Sequence, residues 1–227
     1  MLGFLLLTAC FLAGCNGELF NGKISEGIIE YQVSYPLEDP DNGMLSFYPD
    51  RLIMKFKEHK YKAHLDAGMM EACYIADISK REVVNCLKLL TTRYAVVMDE
   101  ATVQEHNARY PKAYITETEE TKEIAGYTCK KAHVRFEGDS LAPIDVFYTE
   151  DIKIKDPNWC NPFPGIKGVL MEYQIMEFDL LMHMQAVSVR PKKIAEEEFE
   201  LEQNYEVLTY SGFNSEVNKI VKSLQQP

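Results

Sequence analysis

The chain is short of positive charge. Among its 227 residues, 24 are Lys or Arg and 35 are Asp or Glu, a formal net charge of −11. Nucleic acid and anionic membrane surfaces are bound through clustered positive charge, so neither is an expected partner of such a chain. The sequence also lacks an apolar run long enough to cross a bilayer, which takes about 20 residues. It has no phosphate-binding glycine loop, no His-Glu-x-x-His pair and no Cys-x-x-Cys. What remains is an ordinary globular balance, 46% apolar and 26% charged, in a length that suits one domain or two small ones.

Residues 1–14 are uncharged and mostly apolar, too short to span and suited to the apolar region of a secretory signal. They end in Leu12-Ala13-Gly14-Cys15, which resembles the lipobox of bacterial lipoproteins, although no Lys or Arg precedes the run. The resemblance implies cleavage before Cys15, lipidation of that cysteine and attachment to the outer membrane of the cell envelope. Several acyl chains on one residue hold a protein stably, where one gives only marginal binding. The expected organisation is a signal over 1–14, a lipidated tether over 15–23 and one folded domain over 24–227. Nothing in the tether says which face of the membrane the protein occupies.

Of the six cysteines, Cys10 leaves with the signal and Cys15 carries lipid, leaving Cys73, Cys86, Cys129 and Cys160 in an oxidising compartment. Residues 72–78 and 81–87 read as two strands around a Ser79-Lys80 turn. Residues facing each other across such a hairpin have numbers summing to 159, as Cys73 and Cys86 do. They fall at the closely spaced kind of cross-strand pair, within disulfide reach. A bridge and two reduced, buried thiols both remain open, as does the pairing of Cys129 with Cys160.

Strand periodicity dominates the rest. Ile29, Tyr31, Val33 and Tyr35 alternate with polar residues, as do Leu52, Met54 and Phe56, then Tyr61, Ala63 and Leu65, then Ala132, Val134 and Phe136. Further runs cover 93–98, 145–149, 169–176, 180–189 and 199–208. Pro and Gly clusters punctuate them. Two helices are expected. Residues 100–110 have Asp99 as N-cap and Pro111 as stop, and residues 215–225 carry Val217, Ile220, Val221 and Leu224 at helical spacing. The fold class is therefore mainly β with some α: a single strongly curved antiparallel sheet, or incomplete barrel, with one or two covering helices. Glu196-Glu197-Glu198 reads as a solvated face.

Candidate chemistry is sparse. Gly138-Asp139-Ser140-Leu141 spells the nucleophile block of the GDSL esterases, but mid-chain and without the matching Asp-x-x-His, so a turn is the simpler reading. Met182-His183-Met184 suggests a soft-metal site, yet on a strand the methionines point away from the histidine. No cofactor and no metal site is expected, and no nucleophile, base and orienting group assemble into an enzyme.

One resemblance runs from Gly27 to Tyr205. The segment Ile124-Ala125-Gly126-Tyr127-Thr128-Cys129-Lys130-Lys131-Ala132 is similar to one found in GLPGLI-type bacterial lipoproteins of unknown function. Residues 145–149 and the loop Pro162-Phe163-Pro164-Gly165-Ile166 follow in order. The departures are Phe147 for Trp, an inserted Lys167-Gly168 and Glu202 for Pro. The resemblance implies a fold related to the periplasmic lipoprotein carriers (LolA-like). Gly126, Pro164, Gly165 and Gly168 are expected to be structural turn positions. The inward aromatic and methionine side chains, with Tyr31, Tyr35, Met54, Phe56, Met182 and Met184 as candidates, either line a binding concavity or fill a closed core. The expected function is a lipid-anchored, non-enzymatic carrier of an apolar ligand, lipid or acyl chain. The alternative is a structural protein of the outer membrane whose protein partner the sequence does not name.

Overall fold

The computed structural model describes residues 22–39, 41, 45, 48–68, 70–138, 141–177 and 180–225. The signal, Cys10, Cys15, most of the tether and the serine of the Gly-Asp-Ser-Leu block lie outside them. The alternating segments form twelve strands in one open sheet: β1 Glu26–Ser34, β2 Arg51–Lys57, β3 Lys60–Asp66, β4 Met70–Asp77, β5 Glu82–Leu89, β6 Thr92–Met98, β7 Ala113–Ile124, β8 Tyr127–Phe136, β9 Ile144–Thr149, β10 Val169–Glu177, β11 Leu180–Pro191 and β12 Glu206–Val207. Their spatial order is β12-β6-β5-β4-β3-β2-β1-β11-β10-β9-β8-β7. Two antiparallel meanders thus meet at β1 and β11, and only β12 joins in parallel, on β6.

The order carries a geometric consequence. β6 lies near one edge and β7 forms the other, yet only residues 99–112 connect them, eight of them in helix α1 (Glu100–Asn107). On a flat sheet ten inter-strand gaps would span about 48 Å. The connection reaches at most roughly 35 Å when its helix rises 1.5 Å per residue and the rest is extended. The sheet therefore curls, and α1 crosses its concave side. Asp99 caps α1, its Oδ1 accepting from the Thr102 amide at 2.9 Å and hydroxyl at 2.7 Å.

Helix α2 (Tyr210–Gln225) begins five residues before the expected start. The largest core cluster runs from Ile29, Tyr31 and Phe56 on the strands to Val103 of α1 and Phe213 and Val217 of α2. A smaller cluster of Ile28, Ile75, Cys86, Ala95, Ile194 and Phe199 lies under the segment after β11.

That segment departs from expectation. Residues 199–208 are not one strand: Glu196–Phe199 is a single 3-10 turn and only Glu206–Val207 pairs. Nor is Glu196-Glu197-Glu198 simply solvated. Glu196 lies 2.7 Å from Lys57 and 2.9 Å from Lys60, and Glu198 lies 2.6 Å from Lys55. The Ile194 amide donates to Glu26 at 2.5 Å. The acidic run is a strap clasped by lysines of β2 and β3.

β7 was not expected from the sequence. Its Thr-Glu-Thr-Glu-Glu-Thr-Lys stretch has no apolar face to reveal it, because it is an exposed edge strand. The β7–β8 turn is Ala125-Gly126, both at positive φ (49° and 83°), a tight hairpin that makes Gly126 a turn position as expected. Gly165 and Gly168 have ordinary φ. At Gly168 the requirement is space, since a Cβ there would meet the Thr149 carbonyl oxygen at 2.6 Å.

Candidate functional site

Cys73 and Cys86 are bridged, with Cα atoms 5.0 Å apart. The turn is not the expected two residues: β4 ends at Asp77 and β5 starts at Glu82, leaving residues 78–81. Asp77 Oδ1 accepts from the amides of Ser79 and Lys80 at 3.1 and 3.2 Å, organising the longer turn. Lengthening both sides equally preserved the register, so Cys73 still faces Cys86. Cys129 and Cys160 are separate, buried thiols. Burial pushes Cys129 up to about 12 and raises Cys160, so neither is an activated nucleophile.

The concave side of the sheet holds a cavity of about 810 Å³. Four of the six expected lining residues, Tyr31, Met54, Met182 and Met184, are on its wall. Tyr35 and Phe56 are not. Tyr35 lies beyond the end of β1, its hydroxyl donating to the Pro49 carbonyl at 2.7 Å, and Phe56 is fully buried beside Gly27.

Apart from Tyr31, sequence reading missed the cavity's tyrosines, and it missed the polar groups. Tyr61 and Tyr74 stack with centroids 6.2 Å apart, and Tyr31 meets Tyr173 edge-on at 6.2 Å. Backbone carbonyls hold three of these hydroxyls: Leu170 takes Tyr31 at 2.8 Å, Pro157 takes Tyr61 at 3.3 Å and Cys160 takes Tyr74 at 2.9 Å. The rings are thus fixed before any ligand arrives. The Pro157–Phe163 loop that receives two of those bonds is itself anchored by buried Asn158. The Asn158 side-chain amide donates to the carbonyls of Ile166 at 2.7 Å and Gly168 at 2.9 Å.

One corner of the cavity is polar. The end of α1 brings His106, Arg109 and Tyr110 against Glu177 at the end of β10 and Tyr210 at the start of α2. The Tyr110 hydroxyl lies 2.5 Å from Glu177 Oε1 and 2.9 Å from the Met176 carbonyl. Arg109 Nη2 is 2.7 Å from His106 Nε2 and 3.9 Å from Glu177 Oε2. A guanidinium only donates, so Nε2 accepts and the His106 Nδ1 proton points to the Tyr210 hydroxyl, 3.2 Å away. Burial, then the Arg109 charge, hold the imidazole down to about 4, so it is neutral. Burial raises the Glu177 carboxyl, with Tyr110 and Arg109 partly opposing it. A carboxyl shifted this way can hold or move a proton nearer neutral pH than an exposed one.

A second constellation sits on the opposite face, where His183 points away from Met182 and Met184. Ser34 Oγ is 3.4 Å from His183 Nδ1, and His183 Nε2 is 3.5 Å from Glu172 Oε1. The residue types suit a hydrolase, but Lys122 already holds Glu172 at 2.5 Å and the serine is exposed. Among the described residues no group of His, Cys, Asp and Glu could hold a metal ion, and no helix is long and apolar enough to cross a membrane.

Residues 59–160 match the family model described as N-glycanase peptide, N-terminal domain. No curated protein matches the chain. The family match corrects the expected kinship with GLPGLI-type lipoproteins and LolA-like carriers. It spans Ile124–Ala132, the segment that carried that resemblance, and assigns it elsewhere. The expectation of a non-enzymatic carrier of an apolar ligand falls with it, since an N-glycanase is an enzyme of glycan chemistry. The matched stretch, which runs from the start of β3 to Cys160, supplies the Tyr61–Tyr74 pair, the polar end of α1 and the first part of the loop wall.

Proposed function

We propose that the chain engages asparagine-linked glycans in its concave cavity, as the glycan-binding part of an N-glycanase-type activity. The observation that carries this is the family match over residues 59–160, because those residues build much of the cavity wall. The geometry supports it. A sugar ring has apolar C–H faces and a rim of hydroxyls. Fixed tyrosine rings suit the faces, and the polar corner suits the rim. Glu177 is the one carboxyl among the described cavity residues, and so the group there best placed to exchange a proton with a bound glycan.

The test is calorimetric titration of the purified chain with an N-glycosylated peptide and with the same peptide stripped of its glycan. Mass spectrometry of the mixture follows glycan release. The glycopeptide is expected to bind and the bare peptide is not. Equal binding of the two, or none of either, would overturn the reading. Tyr74→Ala removes one ring of the stack and is expected to weaken glycopeptide binding about tenfold, as loss of an aromatic contact worth about 1 kcal/mol or more does.

The place of action is also a proposal: the cell envelope, with Cys15 lipidated. The Cys73–Cys86 bridge supports an oxidising compartment. Intact-mass measurement of the membrane-fraction protein tests it. A mature chain beginning at acylated Cys15 is expected, and a chain retaining Met1 would refute it.

A further inference from the structure

The cavity has a charge economy that the rest of the chain lacks. The protein carries 24 Lys and Arg and 35 Asp and Glu, yet among its described cavity residues Arg109 and Glu177 alone bear formally charged groups. Those two face each other 3.9 Å apart, with Tyr110 on one carboxylate oxygen and His106 taking a guanidinium proton. Their opposite charges offset one another, so the cavity presents no net positive charge to an anionic ligand.

The polar groups that are free are neutral. Six asparagines line the cavity. Asn158 and Asn161 are used in the loop, Asn161 Nδ2 donating to Asn158 Oδ1 at 2.9 Å. The side chains of Asn85, Asn107, Asn214 and Asn218 have no hydrogen-bond partner among the described residues. They stand on β5, at the end of α1 and on α2, on different sides of the cavity. Each offers two N–H donors and a carbonyl acceptor, which matches the mixed donor and acceptor rim of a polyol and satisfies no charge.

From this arrangement we infer that the site selects uncharged oligosaccharides and discriminates against glycans that carry acidic sugars. The inference rests on the reading of the cavity as a glycan site and deepens it. A sugar carboxylate entering the cavity loses hydration, and the single cation there, Arg109, is already offset by the Glu177 carboxylate, which repels it. The carboxamides and tyrosine rings meanwhile serve a neutral sugar fully.

The test uses a matched pair: a complex N-glycan bearing terminal sialic acid and the same glycan after its removal. Both are titrated into the full chain at low salt and at about 0.5 M salt, where interactions beyond about 4 Å are screened. The neutral glycan is expected to bind at least tenfold tighter at both salt concentrations. A preference that vanishes at high salt would assign it to repulsion by the net charge of −11 and overturn the inference. Equal or tighter binding of the sialylated glycan would overturn it too, while leaving the glycan reading standing. Binding of neither would overturn both. Asn85→Ala and Asn214→Ala are each expected to weaken the neutral glycan about two- to tenfold, as loss of one neutral hydrogen bond does. Unchanged affinity in both, with thermal unfolding confirming the fold, would remove the carboxamides from the argument and refute it.

Discussion

Single residues show two different reasons for a small side chain. Gly168 is pressed against β9, where a methyl would meet the Thr149 carbonyl oxygen and the Tyr148 ring at 2.6 Å each. Gly168→Ala is therefore expected to destabilise by about 1–3 kcal/mol, read as a lowered urea midpoint. Ala125 presents the opposite case: it sits at φ 49° in the β7–β8 turn, where only glycine is free of strain. Ala125→Gly is expected to stabilise by up to about 1 kcal/mol in the same assay, the relieved strain partly offset by unfolded-chain entropy. The sequence marked Gly126 and Gly168 as structural, but gave no means of telling conformation from crowding, because crowding depends on which strand lies alongside.

His106 makes a pH prediction. Its folded value, about 4, lies below its ordinary 6.5. Between those two values the unfolded chain binds more protons, so the histidine's contribution is fully present above about 6.5 and is lost as pH falls towards 4. The urea midpoint of His106→Gln is expected to change less between pH 7 and 4.5 than that of the parent. A parallel fall in both proteins would refute the role.

At the scale of elements, the β4–β5 hairpin was legible and the strap was not. Alternation and a turn fix a hairpin register locally, and the sum rule placed Cys73 opposite Cys86 although the turn proved two residues longer. Reduction, or Cys73→Ser with Cys86→Ser, is expected to cost about 3 kcal/mol, measured as a denaturant midpoint shift against the oxidised chain. The strap was unreadable because Glu196 and Glu198 find their lysines on β2 and β3, over 130 residues earlier. β7 was missed for a related reason. Its first residues, Ala113 and Ile115, pack on the core, but the long polar stretch over 116–122 has no apolar alternation, and its charges instead blunt an open sheet edge.

For the whole molecule, curvature follows from connectivity. The crossover between β6 and β7 is too short for a flat sheet, and the curl it enforces makes the concavity that α1, α2 and the Pro157–Phe163 loop then wall. α2 contributes Tyr210, Phe213, Asn214, Val217 and Asn218 to that wall and lies outside the sheet. A chain ending at Val207 is expected to keep its β circular dichroism while binding the neutral glycan at least tenfold more weakly. Undiminished binding would show that α2 is no part of the site.

The sequence by itself determined the class of fold, most strands, the Asp99 cap and the disulfide register. Each is set by residues close in the chain, through the two-residue period of a strand, the 3.6-residue period of a helix, and turn chemistry. Tertiary structure decided which strands are neighbours, and so decided the site. Tyr61, Asn85, Glu177 and Asn214 come from four different elements, and Arg109 from the connection after α1. Nothing local marks them as partners. They share a cavity because the sheet curls and draws α1, β10 and α2 to one place, which alternation along any single strand cannot specify.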